Sequence, residues 1–379
     1  MLRKNKLLDR IHKSPDYSLL NYHVLEGMAD WVRVIDRNGI VIYANTAMKE
    51  DLGEDIVGSK CYESICNVEK CDFCITNRSM VTGEIVQKEE VINGNYYSVK
   101  SSPVRNGKGE IFAAVEVFRN VTRERKLELE LINKNKKMNE DLQFAKRIQE
   151  KILPSKGRVG NLRFDYVYKP SEMLSGDMFD IYRIDDKHIG IYISDVAGNG
   201  VAASMMTMFI HQMMRVMKEE TISPSKTLSN LHKRFLSLNL GAENYFTIFY
   251  AVYNKESKIL KYANAGHNCI PIKFNGGDIK LLENKGFPIT MLLNNMEYEE
   301  KEVRLKNRDK ILFYTDGVTE ARDYSGKEFG LDNIIRILKS NTNNILDTME
   351  DEVINFSWGE HIDDLAIVLL EVLDEDLGN

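Results

Sequence analysis

From Thr122 to Leu153 the chain contains neither glycine nor proline, and Pro154 is the first helix-breaking residue after it. Lys, Glu, Leu and Asn dominate the stretch, and Leu127, Leu131, Met138, Leu142, Ala145, Ile148 and Ile152 recur at spacings of three, four and seven. That periodicity predicts one long helix with an apolar stripe. The stripe is narrow, as in a coiled-coil seam, and Lys134 occupies one of its positions. The helix divides the 379 residues into two domain-sized parts and a connector. Two arrangements are open: an exposed linker lying on its own domain, or a seam buried in a homodimer. The dimer is the expectation, because nothing else in the stretch would bury the stripe. The boundaries read as a tail over 1–20, a first domain over 21–121, the helical linker over 122–153 and a second domain over 154–373.

Within 21–121 the pattern is one of short strands and helices. Trp31 to Ile35 and Ile40 to Ala44 are apolar runs around Asp36-Arg37-Asn38-Gly39, a hairpin signal. Strands are expected at Glu89 to Ile92, Tyr96 to Ser101 and Ile111 to Phe118, with turns at Asn93-Gly94 and Asn106-Gly107. In the second domain His188 to Ser194, Thr247 to Val252, Ile259 to Asn264, Lys310 to Tyr314 and Leu365 to Val372 read as strands. Val201 to Lys218 and Ser225 to Leu238 read as helices. Asn254-Lys255-Glu256-Ser257 closes a hairpin, and adjacent antiparallel strands argue against a purely parallel sheet. The fold class is α+β.

A hydrophobic fraction of 43% and a charged fraction of 28% are those of a soluble globular chain. A formal net charge of −6 disfavours nucleic acid or an anionic membrane as the main partner. No apolar run approaches the roughly 18 residues of a membrane span. Met1 to Lys13 is basic and polar without the apolar run of a secretory signal, so the cytoplasm is the expected location. Four of the five cysteines lie between Cys61 and Cys74. In a reducing compartment such a cluster suggests a metal or redox site before a disulfide framework.

Four acidic segments fall at strand ends: Ser175-Gly176-Asp177, Ser194-Asp195-Val196-Ala197-Gly198-Asn199-Gly200, Tyr314-Thr315-Asp316-Gly317 and Asp363-Asp364. Any one of them alone is more often a turn or a helix cap than a ligand. Together, each following an apolar strand, they form a pattern. A strand end fixes the direction of a carboxylate, and a neighbouring glycine lets backbone and solvent approach. Carboxylates without His or Cys select hard cations such as Mg²⁺ or Mn²⁺. Two such ions about 3.5–4 Å apart can share a water and clamp a phosphoryl group, without a covalent enzyme intermediate.

These residues carry a resemblance. The second domain resembles the PPM-type serine/threonine phosphatases, in the bacterial branch that regulates sporulation and stress sigma factors (SpoIIE-like, RsbU-like). The matching segments, in the family's order, are Ala145 to Gln149 with Ile152-Leu153-Pro154, Leu174 to Asp180, Ser194 to Ala203, Ala263 to Asn268, Tyr314 to Ala321 and Asp363-Asp364-Leu365. The resemblance implies an α-β-β-α sandwich with two Mn²⁺ or Mg²⁺ ions at one edge. It implies that Asp195 bridges them, that the Val196 carbonyl and Asp177 serve one, and that Asp316 and Asp363 hold the other. Asp364 is the alternative to Asp363, and Asp180 is expected to support the ligands. Many relatives have His at Asn199 and Ser at Ala197, changes that remove no ligand. His267 could protonate the leaving serine oxygen or could order the turn at Gly266.

The first domain resembles PAS sensory domains over Val34 to Asn45, Leu52-Gly53, Val57-Gly58 and the exit Phe118 to Arg125. Some PAS domains carry a similar Cys-Tyr-Glu segment followed by Cys-x-x-Cys. Cys61, Cys66, Cys71 and Cys74 would suit zinc or an iron–sulfur cluster, with metal-free thiols as the alternative. Cys269 reads as a core residue. The expectation is a cytoplasmic phosphatase under PAS control, acting on phosphoserine or phosphothreonine of an anti-sigma-factor antagonist. A catalytically silent scaffold that binds sigma-factor regulators is the second reading. A two-metal nuclease is the third, disfavoured by the acidic balance.

Overall fold

The computed structural model describes residues 22–65, 71–217, 222–294, 296–340, 344–358 and 363–373. The chain forms two compact units, Met1–Lys137 and Met138–Asn379.

The first unit is a five-stranded antiparallel sheet in the order β2-β1-β5-β4-β3. Its strands are β1 (Trp31–Asp36), β2 (Val41–Ala44), β3 (Val86–Ile92), β4 (Asn95–Arg105) and β5 (Ile111–Asn120), with helices α1 (Thr46–Leu52) and α2 (Ile75–Thr82). The first hairpin closes because the Asp36 carboxylate accepts from the Asn38 and Ile40 amides, both at 2.8 Å. Asn93 and Gly94 both have positive φ, the geometry of the tightest hairpin turn. Trp31, Met48, Ile75, Tyr97, Val99 and Phe118 form the core, with Trp31 and Tyr97 stacked at 4.4 Å. Arg33 and Glu116 face each other across β1 and β5 and form a buried ion pair at 2.7 Å.

Helix α3 (Thr122–Ile152) follows, and the division between the two units falls within it. Gln149 is its one fully buried residue, whereas Leu127, Leu131, Ile132, Met138, Phe144 and Ile148 are exposed. Among the described residues no helix is long and apolar enough to cross a membrane.

The second unit holds two antiparallel sheets, each of six strands. One contains β8 (Asp177–Arg183), β9 (His188–Val196), β10 (Tyr245–Asn254), β11 (Ile259–Ala265), β14 (Ile289–Thr290) and β15 (Lys301–Arg304). The other contains β6 (Gly157–Val159), β7 (Leu162–Lys169), β12 (Ile272–Asn275), β13 (Asp278–Leu281), β16 (Lys310–Tyr314) and β17 (Leu365–Val372). Alternate residues of β8, β9 and β10, including Phe179, Ile181, Ile191, Ile193 and Phe249, meet Phe164, Ile311, Phe313, Val368 and Leu370 of the facing sheet. The opposite face of the first sheet packs under α4 (Gly200–Val216) and α5 (Pro224–Leu236) through Ile210, Met214, Leu228, Leu231 and Phe235. The outer face of the second sheet packs under α7 (Gly330–Lys339) and α8 (Ile345–Phe356) through Ile334, Ile337, Met349 and Val353. The short helix α6 (Asp316–Thr319) leaves the end of β16. Each buried large apolar side chain contributes about 1.5–3 kcal/mol, so both faces of both sheets are energetically committed. The strand ends are left as the places where polar chemistry can stand.

Candidate metal centre

Asp177 opens β8 and lies directly opposite Asp195 in the β8–β9 register, with Thr247 of β10 on the other side of Asp195. Like charges opposite each other on neighbouring strands repel. Asp316 opens α6, and Asp363 and Asp364 immediately precede β17, the hydrogen-bonded neighbour of β16. Four strand ends therefore bring Asp177, Asp195, Asp316 and the Asp363-Asp364 pair to one edge of the two sheets.

Local chemistry fixes each of them. Thr315, fully buried, donates its hydroxyl to Asp177 Oδ2 at 2.6 Å and accepts from the Ala366 amide at 3.0 Å. One side chain thus ties the ends of β16 and β17 to the start of β8. The α6 backbone sits against the Asp363-Asp364 peptide so closely that a Cβ on Gly317 would stand 2.0 Å from the Asp364 carbonyl oxygen. Only glycine permits that approach.

The acidic doublet divides its labour. Both Asp364 oxygens are engaged: Oδ1 accepts from the Ser171 amide at 2.7 Å and its hydroxyl at 2.9 Å, and Oδ2 from the Gly176 amide at 2.6 Å. Asp364 therefore anchors the segment leading into Asp177. Asp363 is exposed and, among the described residues, accepts from the Asp364 amide at 2.7 Å. Val196 donates its amide to the Gly176 carbonyl at 3.1 Å, and its own carbonyl oxygen lies beside the Gly176 backbone.

From α3, the Gln149 side chain grips the same segment in both directions. Its Nε2 donates to the Ser175 carbonyl at 2.7 Å and to Thr207 Oγ1 at 3.2 Å, while its Oε1 accepts from the Ser175 amide at 3.0 Å.

His267 is buried, with Nε2 donating to the Tyr314 carbonyl at 3.1 Å and Nδ1 accepting from the Thr247 hydroxyl at 3.2 Å. Its backbone amide donates to Asn264 Oδ1 at 2.8 Å, closing the turn around Gly266. Burial pushes its pKa down to about 4, so the ring is neutral. Of the two roles open to it, this geometry is that of ordering the loop, because neither nitrogen is left for a substrate.

The carboxylates are electrostatically frustrated. Burial, and then the neighbouring Asp195, push Asp177 well above the usual carboxylate range, with the Thr315 hydroxyl as the opposing influence. Burial followed by repulsion from Asp316, Asp363, Asp364 and Glu320 raises Asp195 to about 8. Burial, Asp363 and Glu320 raise Asp316 to about 6. Among the described residues no Lys or Arg forms an ion pair with Asp177, Asp195, Asp316 or Asp363. Also among the described residues, no three or more Asp, Glu, His or Cys side chains stand in a finished coordination geometry. The donor chemistry nonetheless fits hard divalent cations: oxygen ligands whose mutual repulsion a cation relieves.

One expectation is corrected. Asp180 lies on the opposite face of β8 from Asp177, fully buried and bound by Arg215 Nε at 2.6 Å and Nη2 at 2.9 Å, so it holds α4 on the sheet and does not support the ligands. In the first unit, Cys61, Cys71 and Cys74 line a shared cavity of about 320 Å³, and Cys66 lies outside the described residues. No metal-holding group forms among the described residues there either. Cys74 Sγ accepts from the Asn77 amide at the start of α2 at 3.4 Å, and burial raises the Cys61 thiol. Sequence reasoning did not assign Gln149, Thr315, Gly317 or Glu320. Glu320 was within reach, since it follows Asp316 by one helical turn.

Residues 185–373 match the stage II sporulation protein E (SpoIIE) family, and residues 25–126 match the PAS fold. The phosphoserine phosphatase RsbP of Bacillus subtilis is 29% identical over 183 residues, 48% of this chain and 45% of that protein. The phosphoserine phosphatase RsbU of the same species is 30% identical over 189 residues, 49% of this chain and 55% of that protein. The chain thus spans about half the length of these relatives. Among solved structures, the SiaA-PP2C domain of Pseudomonas aeruginosa covers 63% of this chain and 98% of its own, with a TM-score of 0.55 at 20% identity. The PP2C phosphatase domain and regulatory fragment of Bacillus subtilis SpoIIE covers 80% of this chain and 76% of its own, with a TM-score of 0.50 at 15% identity. With the fold shared by the PP2C structures and both sequence matches falling on the two units described above, this chain carries a SpoIIE-family domain preceded by a PAS-fold domain.

Proposed function

We propose that this protein is a cytoplasmic, metal-dependent protein serine/threonine phosphatase under PAS control, acting on phosphoserine or phosphothreonine of an anti-sigma-factor antagonist. The observation that carries the reading is the set of carboxylates Asp177, buried, and Asp195 and Asp316, half-buried, gathered at one sheet edge in a SpoIIE-family domain with no Lys or Arg ion-paired to them among the described residues.

Asp195 would serve both of two Mn²⁺ or Mg²⁺ ions, and Asp177 with the Val196 carbonyl would help to hold one and Asp316 with Asp363 the other. Asp363 is preferred over Asp364 because both Asp364 oxygens already accept from Ser171 and Gly176. Bound there, the ions supply an activated water and a positive clamp for the phosphoryl group. The chain's own contribution is placement. Thr315 directs Asp177, Asp364 and Gln149 fix the segment before it, and neutral His267 ties Thr247, beside Asp195, to Tyr314, two residues before Asp316.

The exposed stripe of α3, with Leu127, Leu131 and Met138, pairs with a second copy of this chain as a coiled coil, and the helix passes the state of the PAS domain to Ser175 through Gln149.

Turnover of p-nitrophenyl phosphate and of a serine-phosphorylated antagonist, with Mn²⁺ or with EDTA, tests the reading. Mn²⁺-dependent release of phosphate, lost in Asp195→Asn, is expected; silence of the full chain toward both substrates sinks it in favour of the scaffold.

A further inference from the structure

In the second unit, the face of the β8–β9–β10 sheet that meets the other sheet is built in rows, and the strand register orders them. Ile181, Ile191 and Ala251 form one row, and Phe179, Ile193 and Phe249 the next, both within the core between the sheets. Asp177, Asp195 and Thr247 form the row after that. Two residues further out along β10, on the same face, stands Tyr245.

Its place is fixed on both sides. The Tyr245 carbonyl accepts from the Ala197 amide at 3.1 Å, and Thr290 of β14 is its partner across the ladder. Phe246 points the other way, paired with Val196 and Ile289 in the core under α4 and α5. The Tyr245 side chain is thereby left on the Asp195 side. Thr247 is directly opposite Asp195, so Tyr245 is a diagonal neighbour, with the two backbones about 7–8 Å apart at those positions.

The Tyr245 side chain is 43% exposed, and among the described residues no hydrogen bond or ring contact involves it. Thr290 is buried, and its Oγ1 accepts at 3.3 Å from the amide of Leu292, a residue 72% exposed. The row outside the carboxylates is therefore uncharged, largely apolar and open to water. The rows behind the carboxylates are closed core, so a molecule whose phosphoryl group reaches Asp195 carries its remainder past Tyr245. Tyrosine offers a large, rigid contact surface with few torsions to freeze, and it is frequent among the residues that dominate protein interfaces.

We propose that Tyr245 is a specificity-determining residue of this site, its ring forming the wall against which the polypeptide beside the phosphoserine lies. The proposal rests on the phosphatase reading above. An uncharged, apolar wall matches the main-chain and aliphatic atoms that flank a phosphoserine, and not the phosphoryl group itself. A second copy of this chain seated on the wall would cover Asp195, and the α3 stripe already offers a separate apolar face.

The test measures wild type, Tyr245→Ala and Tyr245→Phe in the full chain with Mn²⁺, on a serine-phosphorylated anti-sigma-factor antagonist and on p-nitrophenyl phosphate. For the antagonist, KM should rise about tenfold in Tyr245→Ala with kcat nearly kept, while Tyr245→Phe stays within about twofold of wild type. For the aryl phosphate, which has no flanking chain, kcat/KM should fall about threefold or less. Mn²⁺ affinity and the unfolding midpoint should match wild type in both variants, as expected for an exposed side chain. Equal losses on both substrates, a loss in kcat alone, weakened Mn²⁺ binding, or no loss on either substrate overturns the wall and leaves the phosphatase reading standing. A changed oligomeric state by light scattering with KM preserved gives Tyr245 to a second copy of this chain and overturns it too. Turnover of the aryl phosphate alone by wild type removes the proposed occupant; turnover of neither substrate removes the phosphatase reading, and the wall with it.

Discussion

Asp195→Asn should make the metal-free protein more stable, which is the reverse of what removing a central side chain usually does. Burial and neighbouring carboxylates raise Asp195 from 3.8 to about 8. A carboxyl whose folded pKa is raised costs nothing below its unfolded pKa. The cost appears as pH climbs through 3.8 and is complete above about 8. At pH 7 the folded carboxyl is held protonated, and keeping it so against a pKa of 3.8 costs up to about 4 kcal/mol at 1.36 kcal/mol per unit. Part of that repulsion is shared with Asp177 and Asp316, so relief of about 2 kcal/mol is the working figure. In a unit of this size that raises Tm by about 4–8 °C. Calorimetry of the full chain in EDTA, following the transition that Mn²⁺ shifts, measures it. The gain should be largest near pH 8 and shrink below half at pH 5. With saturating Mn²⁺ the order should invert, because binding to the native state stabilises wild type and not the variant. A variant no more stable than wild type in EDTA at pH 7.5, or a gain that ignores pH, would refute the electrostatic account of this edge.

Gly317→Ala forces a Cβ to 2.0 Å from the Asp364 carbonyl, so α6 and the Asp363-Asp364 peptide must separate; Mn²⁺ titration should show affinity reduced about tenfold or more while the PAS-fold unit melts unchanged. Gln149→Ala leaves the Ser175 amide and carbonyl without their partner in a fully buried position, and should lower the stability of the larger unit by about 1–3 kcal/mol and weaken Mn²⁺ binding. Unchanged values would show that this contact does not bear on the site. The neutral His267 ring contributes stability that is complete above pH 6.5 and lost as pH falls toward about 4. Its imidazole resonances should accordingly show no protonation between pH 7 and 5, and a midpoint above 6 would return it to candidacy as a proton donor.

The carboxylate edge was legible in part because Asp195 and Asp316 stand at the far ends of apolar runs and Asp363 just before another, whereas Asp177 opens its strand and does not follow one. Lys310 to Tyr314 and Leu365 to Val372 form strands with those bounds, which is why Asp316 and Asp363 could be placed. The residues that orient the acids were not legible. Gln149 meets Ser175 across 26 positions and Asp364 meets Gly176 across 188, and no local pattern encodes such pairings. Asp180 could have been read better. Three steps along a strand reverse the face, so Asp177 and Asp180 point apart once β8 is seen as a strand. That strand escaped notice because all but its last residue are buried, leaving no alternation to detect. For the cysteines, spacing suggested a metal or free thiols alike, and among the described residues Cys74 serves as a helix cap.

The grip of Gln149 on Ser175 also sets the form that any response of this domain to α3 can take. Amide and carbonyl of one peptide residue are read by the two ends of a single side-chain amide, so the bonds are made or broken as one event. Advancing α3 by one residue turns it by about 100°, which carries Gln149 off Ser175 and brings apolar Ile148 or charged Glu150 in its place. Intermediate rotations satisfy neither bond and leave a buried backbone pair bare. Movement of this helix is therefore felt by the carboxylate edge as a threshold and not as a gradient.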